Sequence, residues 1–202
     1  PTVKGSCVLI DVGANPAARA EHLAQYGLMG AVFARELLGV KSPRVGLLNI
    51  GSEEGKGTDL YRETHSLLVN SPIRDQYIGN VEGRDVYHGD VDVIICEGFV
   101  GNVVLKVSEG MAEFVLKAVG GALMKELTGE RDLAMQALAS LTEQFHYQES
   151  GGAPLLGIDG ICIICHGSSD HRSIRNALRM AAEIDNRHIN AQIMELLSQQ
   201  NS

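Results

Sequence analysis

The sequence has 202 residues, of which 45% are hydrophobic and 21% charged, the balance of a folded domain and not of a disordered chain. Its formal net charge is −8 and no cluster of Lys and Arg offsets it, so we expect no nucleic-acid partner. The absence of any run of about 18 apolar residues excludes an ordinary transmembrane helix. No secretion signal opens the chain, so we expect a cytoplasmic protein, and Pro1 in place of Met predicts a cut or processed N-terminus.

Apolar periodicity and turn residues divide the chain into strands and helices. In chain order they predict a strand at 7–12, a helix at 16–38, a strand at 44–50, a helix at 58–69, strands at 76–80 and 91–96, helices from 102 and at 130–147, a strand at 161–165 and a helix at 171–198. The first helix is expected to begin with Asn15 as N-cap and Pro16 in its first turn, and to end at Gly39. Asn102 is the expected N-cap of the long helix.

The strands read as unbroken Val, Ile and Leu runs, which is typical of strands buried on both faces. Because they alternate with helices, we expect an α/β protein with a mostly parallel sheet flanked by helices. Without an internal repeat or low-complexity linker, residues 1–202 form one domain in this interpretation. The helical pair at 98–148 is expected to protrude from it or to form an interface.

Each predicted junction between a strand and the next helix is polar and rich in glycine. The junctions lie at residues 11–15, 49–58, 97–102 and 166–169. In open parallel sheets, ligands gather beyond the carboxyl ends of the strands, and Gly-rich turns expose N–H groups that bind anions. Four such junctions on one sheet edge predict a ligand that carries phosphate or another oxyanion.

Short motifs exclude several other kinds of site. The loop "GSEEGKGT" lacks the Ser or Thr that must follow Gly-Lys in a P-loop, and neither G-x-G-x-x-G after a strand nor H-E-x-x-H occurs, so we expect no metal and no cofactor. The string "ICIICH" matches the attachment signature of c-type haem. Alternation along the strand at 161–165 places Cys162 and Cys165 on opposite faces, so we interpret them as small apolar residues and reject haem.

Three side chains at these junctions are candidates for chemistry, each with a structural alternative. Lys56 would hold phosphate or polarise a carbonyl, whereas most loop lysines are only solvated. Asn102 would stabilise an oxyanion, although a lone Asn at a helix start is usually a cap; both roles are compatible. His166 would donate a proton or bind phosphate, or it would fasten its own turn.

Several long stretches of the sequence resemble one family across nearly the whole chain. The stretches are "LIDVGAN", "PRVGLLNIGSEEGKGT", "IGNVEGRD", "EGFVGNVVLK" and "GGAPLLGIDG" with "HGSS" after it. They are similar to the bacterial phosphate acyltransferases of phospholipid synthesis, the acyl-acyl carrier protein:phosphate transacylases. The resemblance implies transfer of a long fatty acyl group from acyl carrier protein to inorganic phosphate, which yields acyl phosphate.

The same resemblance implies a fold similar to the isocitrate and isopropylmalate dehydrogenases. It further implies a cytoplasmic homodimer at the inner face of the membrane, where a membrane glycerol-3-phosphate acyltransferase takes over the acyl phosphate. With that chemistry, Lys56, Asn102 and His166 are the expected catalytic residues. The expected substrate- and phosphate-binding residues are Asn15, Gly51, Gly55, Gly57, Gly101, Gly167 and Ser168.

The sequence departs from the family in one respect and leaves alternatives open. Family members begin with a strand that leads into an Asp-Ala-Met-Gly-Gly type loop, which is absent here, so we expect a fragment that covers only the later part of the family chain. The alternatives are a phosphate acetyl- or butyryltransferase that uses coenzyme A, and a catalytically silent dimerisation or membrane-docking fragment. A nicotinamide-dependent decarboxylating dehydrogenase would need clustered metal-binding Asp residues, which we do not find.

The predicted helix at 130–147 carries an apolar stripe of Leu133, Ala137 and Leu141, with Leu138 and Phe145 beside it. The resemblance implies a role for this helical pair at the membrane or in a dimer. The stripe alone favours packing between helices, because Arg131 is the only Lys or Arg of the helix and membrane-surface helices carry several.

Overall fold

The computed structural model describes residues 1–145 and 151–200. Their elements are β1 (Val8–Ile10), α1 (Ala20–Leu37), β2 (Val45–Asn49), α2 (Asp59–Val69), β3 (Tyr77–Glu82), a 3-10 helix (Gly83–Tyr87), β4 (Val93–Ile95), α3 (Gly98–Glu126), α4 (Arg131–Phe145), β5 (Ala153–Pro154), β6 (Ile163–Ile164), α5 (His171–Asn186) and α6 (Ile189–Gln200).

Four strands form a parallel sheet in the order β1-β4-β2-β3, which confirms the predicted α/β class. The apolar runs pair directly: Val8 lies opposite Val93, and Leu47 lies opposite Ile95. Each face of the sheet has its own core. One face packs against α1, α2 and α6, and the other packs against the start of α3 and the 3-10 helix.

The start of the first helix was predicted wrongly. Its N-cap is Arg19, and α1 begins at Ala20 instead of Pro16. The Asn15 side chain accepts the Ala17 N–H at 3.3 Å, but the Asn15 carbonyl accepts from Gly98 at 3.0 Å and so does not begin the hydrogen-bond ladder of the helix. Residues 11–19 therefore form a loop that is anchored to the neighbouring junction before the chain turns helical.

Two predictions for the C-terminal part were also wrong. Residues 161–165 do not extend the parallel sheet; Ile163 and Ile164 pair antiparallel with β5, which lies only ten residues earlier and so offers a partner close in the chain. The predicted helix at 171–198 is two helices, α5 and α6, separated at Arg187 and His188. His188 has a φ of 53°, which a continuous right-handed helix does not accommodate.

The helical pair α3 and α4 makes little contact with the sheet. Of the 29 residues of α3, only Gly98 and Gly101 are buried, and its far half packs against α4, with Leu138 beside Gly120. The predicted stripe on α4 does not form that contact, because Leu133 and Leu141 are exposed and Leu138 faces α3 instead. The Phe145 side chain and residues 146–148 of the predicted pair lie outside the described residues.

The four cysteines are free thiols, with Cys96 buried and the other three half-buried. Within the part of the chain that the structure describes, no helix is both long enough and apolar enough to cross a membrane.

Candidate active site at the carboxyl ends of the strands

The candidate site lies where two adjacent parallel strands send the chain to opposite faces of the sheet. After β1 the chain enters α1, whose Leu28 belongs to the core of one face. After β4 it enters α3, whose Val100 and Val104 pack on the other face. Because β1 and β4 are neighbours, the two connections diverge and leave a crevice at the carboxyl ends of the strands.

In the loop after β1, the backbone N–H groups donate to a carboxylate of the same loop, that of Asp11. Asp11 is 7% exposed, and its carboxylate accepts the backbone N–H groups of Gly13, Ala14 and Asn15 at 2.9, 2.8 and 2.7 Å. This concave row of N–H groups is the arrangement that binds anions in other proteins. Here an internal acid occupies it, so these N–H groups are not available to a phosphate.

At the start of α3, the backbone N–H groups also donate to a carboxylate of the chain, that of Glu97. Glu97 is the N-cap, and its carboxylate accepts the N–H of Phe99 at 2.6 Å and that of Val100 at 3.2 Å. The prediction that Asn102 caps this helix was therefore wrong, because Asn102 lies one turn inside it. Its side chain is exposed, makes no hydrogen bond within the described residues, and sits 3.7 Å from where a Gly13 Cβ would be.

Asn15 and Gly101 join these two loops to each other. The Gly98 N–H donates to the Asn15 carbonyl at 3.0 Å, and the Gly101 N–H donates to Glu97 within the helix at 2.9 Å. A Cβ on Gly101 would lie 1.8 Å from the Asp11 carbonyl oxygen, so only glycine allows α3 to approach β1 this closely. The backbone of both residues is thus engaged in holding the loop after β1 against the start of α3.

The loop after β2 has the opposite character, because its amides are exposed and uncapped. Among the described residues, the backbone N–H groups of Ser52, Glu54 and Gly55 have no hydrogen-bond partner. Lys56 lies in the same loop, about half exposed, with its Nζ 3.7 Å from a Glu53 carboxylate oxygen. This loop therefore combines N–H donors and a cation that can rotate toward a ligand.

Tyr61 and Cys96 lie between the loop after β2 and the start of α3. Burial raises the pKa of Tyr61 to about 12, and the neighbouring Glu97 adds to the rise. Burial likewise raises the pKa of Cys96 to about 12, and its thiol donates to the Asp11 carbonyl at 3.4 Å. Both groups are therefore neutral at pH 7, with Glu97 near both of them and Asp11 near Cys96.

His166 belongs to a separate part of the fold, the turn after β6. Its Nδ1 lies 2.6 Å from the Ser168 hydroxyl and accepts the Ser168 N–H at 3.2 Å. These contacts support the structural role that was the alternative for this residue, that of fastening its own turn. The structure places Lys56 and Asn102 at the carboxyl ends of the sheet, whereas His166 and Gly167 follow the antiparallel ribbon.

A groove of about 1050 Å³ runs along the free edge of β1. Asn102 and the loop after β1 line it, as do Arg179 and Glu183 of α5. Its other walls come from α1, α5 and the segment around β5, and they include Met29, Phe33 and Leu156. Since β1 is the outermost strand of the sheet, part of the lining is an unpaired backbone edge.

Sequence reasoning missed the two acids that shape the junctions, Asp11 and Glu97. An Asp at the end of a strand, followed two residues later by Gly, is the signal for a side chain that accepts backbone N–H groups in a turn.

No group of three or more His, Cys, Asp or Glu within residues 1–145 and 151–200 is arranged to hold a metal ion.

Fold and site together define the class of this protein: an open parallel α/β protein with its ligand crevice at the carboxyl ends of the strands. Comparison with known proteins identifies the family within that class. The model of the family described as "Fatty acid synthesis protein" matches residues 1–192. The chain belongs to this family.

Relatives that match the chain are named phosphate acyltransferase. The chain is 46% identical over 201 residues to the one from Geotalea uraniireducens, covering 98% of this chain and 58% of the relative. It is 47% identical over 203 residues to the one from Syntrophotalea carbinolica, covering 100% of this chain and 58% of the relative. The chain thus spans a little over half the length of these curated relatives.

Proposed function

We propose that this chain belongs to an acyltransferase that moves a long fatty acyl group from acyl carrier protein to inorganic phosphate. The product is an acyl phosphate for phospholipid synthesis. The family and the printed names of its relatives support transfer of an acyl group to phosphate. The observation that carries the proposal is the contrast between the capped loops after β1 and β4 and the uncapped, lysine-bearing loop after β2.

The reaction needs a binding site for phosphate and stabilisation of a developing oxyanion. A phosphate oxygen forms a bond to the thioester carbonyl carbon, whose oxygen becomes negatively charged in the tetrahedral intermediate. When the carbonyl re-forms, the C–S bond breaks, and the thiolate leaves with the electron pair and takes up a proton. No oxidant, reductant or protein nucleophile enters this balance.

The residues of the crevice suit these steps. In this proposal Lys56 and the N–H groups of its loop hold phosphate, with Gly51, Gly55 and Gly57 keeping the backbone accessible. The Asn102 amide donates to the carbonyl oxygen as it becomes an oxyanion. His166, with Gly167 and Ser168, lies outside this crevice, in the turn after β6, and is proposed as a proton donor to the leaving thiolate or as a second phosphate contact.

The groove along β1 is not assigned to the acyl chain. Part of its wall is an unpaired strand edge, and a saturated hydrocarbon leaves backbone N–H and carbonyl groups without partners.

The proposed likeness to the isocitrate and isopropylmalate dehydrogenase fold rests on the parallel sheet and its crevice alone.

The test is incubation of the chain with palmitoyl-acyl carrier protein and phosphate, followed by detection of free carrier thiol and acyl phosphate. Replacing Lys56 with Ala should lower the rate at least tenfold, whereas Lys41→Ala, another loop lysine that lies before β2, should not change it. Equal rates for both variants would remove Lys56 from the site. Turnover only with an acyl-coenzyme A donor would favour the acetyl- or butyryltransferase. Phosphate binding without turnover would identify a silent fragment.

The helices α3 and α4 provide the proposed homodimer interface. The exposed apolar residues of α3 recur every three or four residues and so form a continuous stripe: Val103, Val107, Met111, Phe114, Val115 and Val119. Residues 98–145 carry four Lys or Arg and six Asp or Glu, a net negative charge that an anionic lipid surface repels, so the apolar stripe favours packing against a second copy. Peripheral contact with the cytoplasmic membrane face, beside the glycerol-3-phosphate acyltransferase, is the second part of this proposal.

Light scattering after size-exclusion chromatography tests the dimer. Phe114 is 66% exposed on the stripe, and Leu178 on α5 is 68% exposed outside it. We expect Phe114→Lys to yield monomers and Leu178→Lys to leave the dimer intact. A dimer that survives Phe114→Lys would place the interface elsewhere, and flotation of the wild type with anionic vesicles tests the membrane contact separately.

A further inference from the structure

Two asparagines outside the set of expected site residues hold the loop at 51–57. Asn49 ends β2, and its side chain spans the two ends of the loop. Its Nδ2 donates to the Lys56 carbonyl at 3.0 Å, and its Oδ1 accepts the Ile50 N–H at 2.8 Å. A single side chain therefore closes the loop.

Asn80 holds the same loop from the neighbouring strand. It lies in β3, is 8% exposed, and its Nδ2 donates to the Glu53 carbonyl at 2.8 Å. Its Oδ1 is buried and has no hydrogen-bond partner within the described residues. A buried, half-satisfied amide is unfavourable for stability, and an apolar residue would avoid that penalty. The bond that Asn80 does make points to the loop, so its contribution is to the position of the loop.

These contacts converge on the backbone around Lys56. The Lys56 N–H donates to the Glu53 carbonyl at 3.0 Å, which forms a turn, and the carbonyls of both residues accept from an asparagine. The loop then returns against Asn49 at Gly57, which has a φ of +85° and would place a Cβ 2.6 Å from the Asn49 Oδ1. Glycine is required there both by conformation and by space.

We infer that Asn49 and Asn80 are positioning residues for phosphate, which hold the exposed amides and Lys56 in one fixed loop before the anion arrives. The inference rests on the proposed function, in which this loop binds phosphate. A loop that is ordered by folding loses little entropy when its ligand binds, so pre-organisation appears directly as affinity. Neither asparagine contacts the phosphate in this scheme.

The test compares Asn80→Leu with Asn70→Leu in the whole chain. Asn70 is an exposed asparagine at the end of α2, whose Nδ2 donates to the Ser66 carbonyl at 2.8 Å, far from the loop in sequence. Titration with inorganic phosphate, followed by NMR of backbone amides, measures affinity without requiring turnover. We expect phosphate to bind Asn80→Leu about tenfold more weakly than wild type, the loss of one hydrogen bond that orders the site. Asn70→Leu should bind as wild type does.

Stability distinguishes positioning from a structural role. Asn80→Leu removes the unpartnered oxygen, so its melting temperature should equal or exceed that of the wild type while its phosphate affinity falls. Asn49→Ala is the second variant if Asn80→Leu does not fold, with the same expected loss of affinity. Unchanged affinity in a folded variant would overturn the inference. Absence of phosphate binding by the wild type would instead overturn the proposed function of the loop.

Discussion

The contact between α3 and the β1 loop yields a prediction that the structure makes quantitative. In Gly101→Ala the new Cβ would lie 1.8 Å from the Asp11 carbonyl oxygen and 2.8 Å from the Cys96 sulfur. Carbon and oxygen atoms that are not bonded stay about 3 Å apart or more. The helix start and the β1 loop must therefore separate by about 1 Å, and backbone on both sides has to move.

The size of the effect follows from a comparison within the same helix. Gly110 is also in α3, and a Cβ there meets no atom within 4 Å. Gly110→Ala should raise the free energy of unfolding by about 0.5–1 kcal/mol, because alanine loses less backbone entropy than glycine in a helix. Gly101→Ala gains the same entropic stabilisation, but overpacking lowers its free energy of unfolding by about 1–3 kcal/mol or more. The free energies of unfolding of the two variants should therefore differ by roughly the cost of overpacking.

Urea unfolding followed by circular dichroism measures both variants, with the midpoint and slope compared to the wild type. The displacement in Gly101→Ala also shifts Asn102, the next residue, so acyl transfer should slow while phosphate affinity at the other loop stays unchanged. If Gly101→Ala is as stable as Gly110→Ala, α3 does not approach β1 as closely as described, and the placement of Asn102 in the crevice fails with it.

Three further predictions concern the sheet. The Val8 N–H bonds to β4, so the Leu9 N–H points to the free edge and should exchange with deuterium much faster than that of Val8; equal rates would mean that the edge is covered. Partial burial raises the pKa of Asp92, but hydrogen bonds from Arg44 outweigh it and hold that pKa below its ordinary value. The stability advantage of wild type over Asp92→Asn should therefore be constant above about pH 5 and shrink below pH 4; a gap independent of pH would contradict this. Iodoacetamide at pH 8 should spare the buried Cys96 until the protein is denatured, and labelling of this thiol in native protein would refute its burial.

The strands of the sheet were predictable because burial on both faces leaves a simple pattern. Residues 45–48 and 93–96 are runs without a polar side chain, and the strands predicted around them became β2 and β4, in the middle of the sheet. The helix starts were not predictable from the cap residues alone. Asn15 and Asn102 have the right residue type, but the Asn15 carbonyl accepts from Gly98 outside the helix, and Glu97 already caps α3 before Asn102 is reached.

The placement of the last strand depended on information that periodicity does not contain. Residues 161–165 have the composition of a buried strand, yet only Ile163 and Ile164 pair, and they pair with β5. Strand composition reports burial and says nothing about which edge the strand joins. The positions of Asn49 and Asn80 were missed for a related reason, since their partners are backbone carbonyls of a loop that is distant from Asn80 in sequence.

The two acids that the sequence analysis missed also bear on how the crevice would select its ligand. Asp11 and Glu97 accept the N–H groups after β1 and β4, and both precede Asn102 in the chain. In the proposed function, phosphate would find uncapped N–H donors and a lysine only beyond β2, within the sheet edge that the structure describes, where Lys56 also faces Glu53. The proposed function therefore places the phosphate at the end of β2, where N–H donors are free, and the carbonyl at the end of the neighbouring β4.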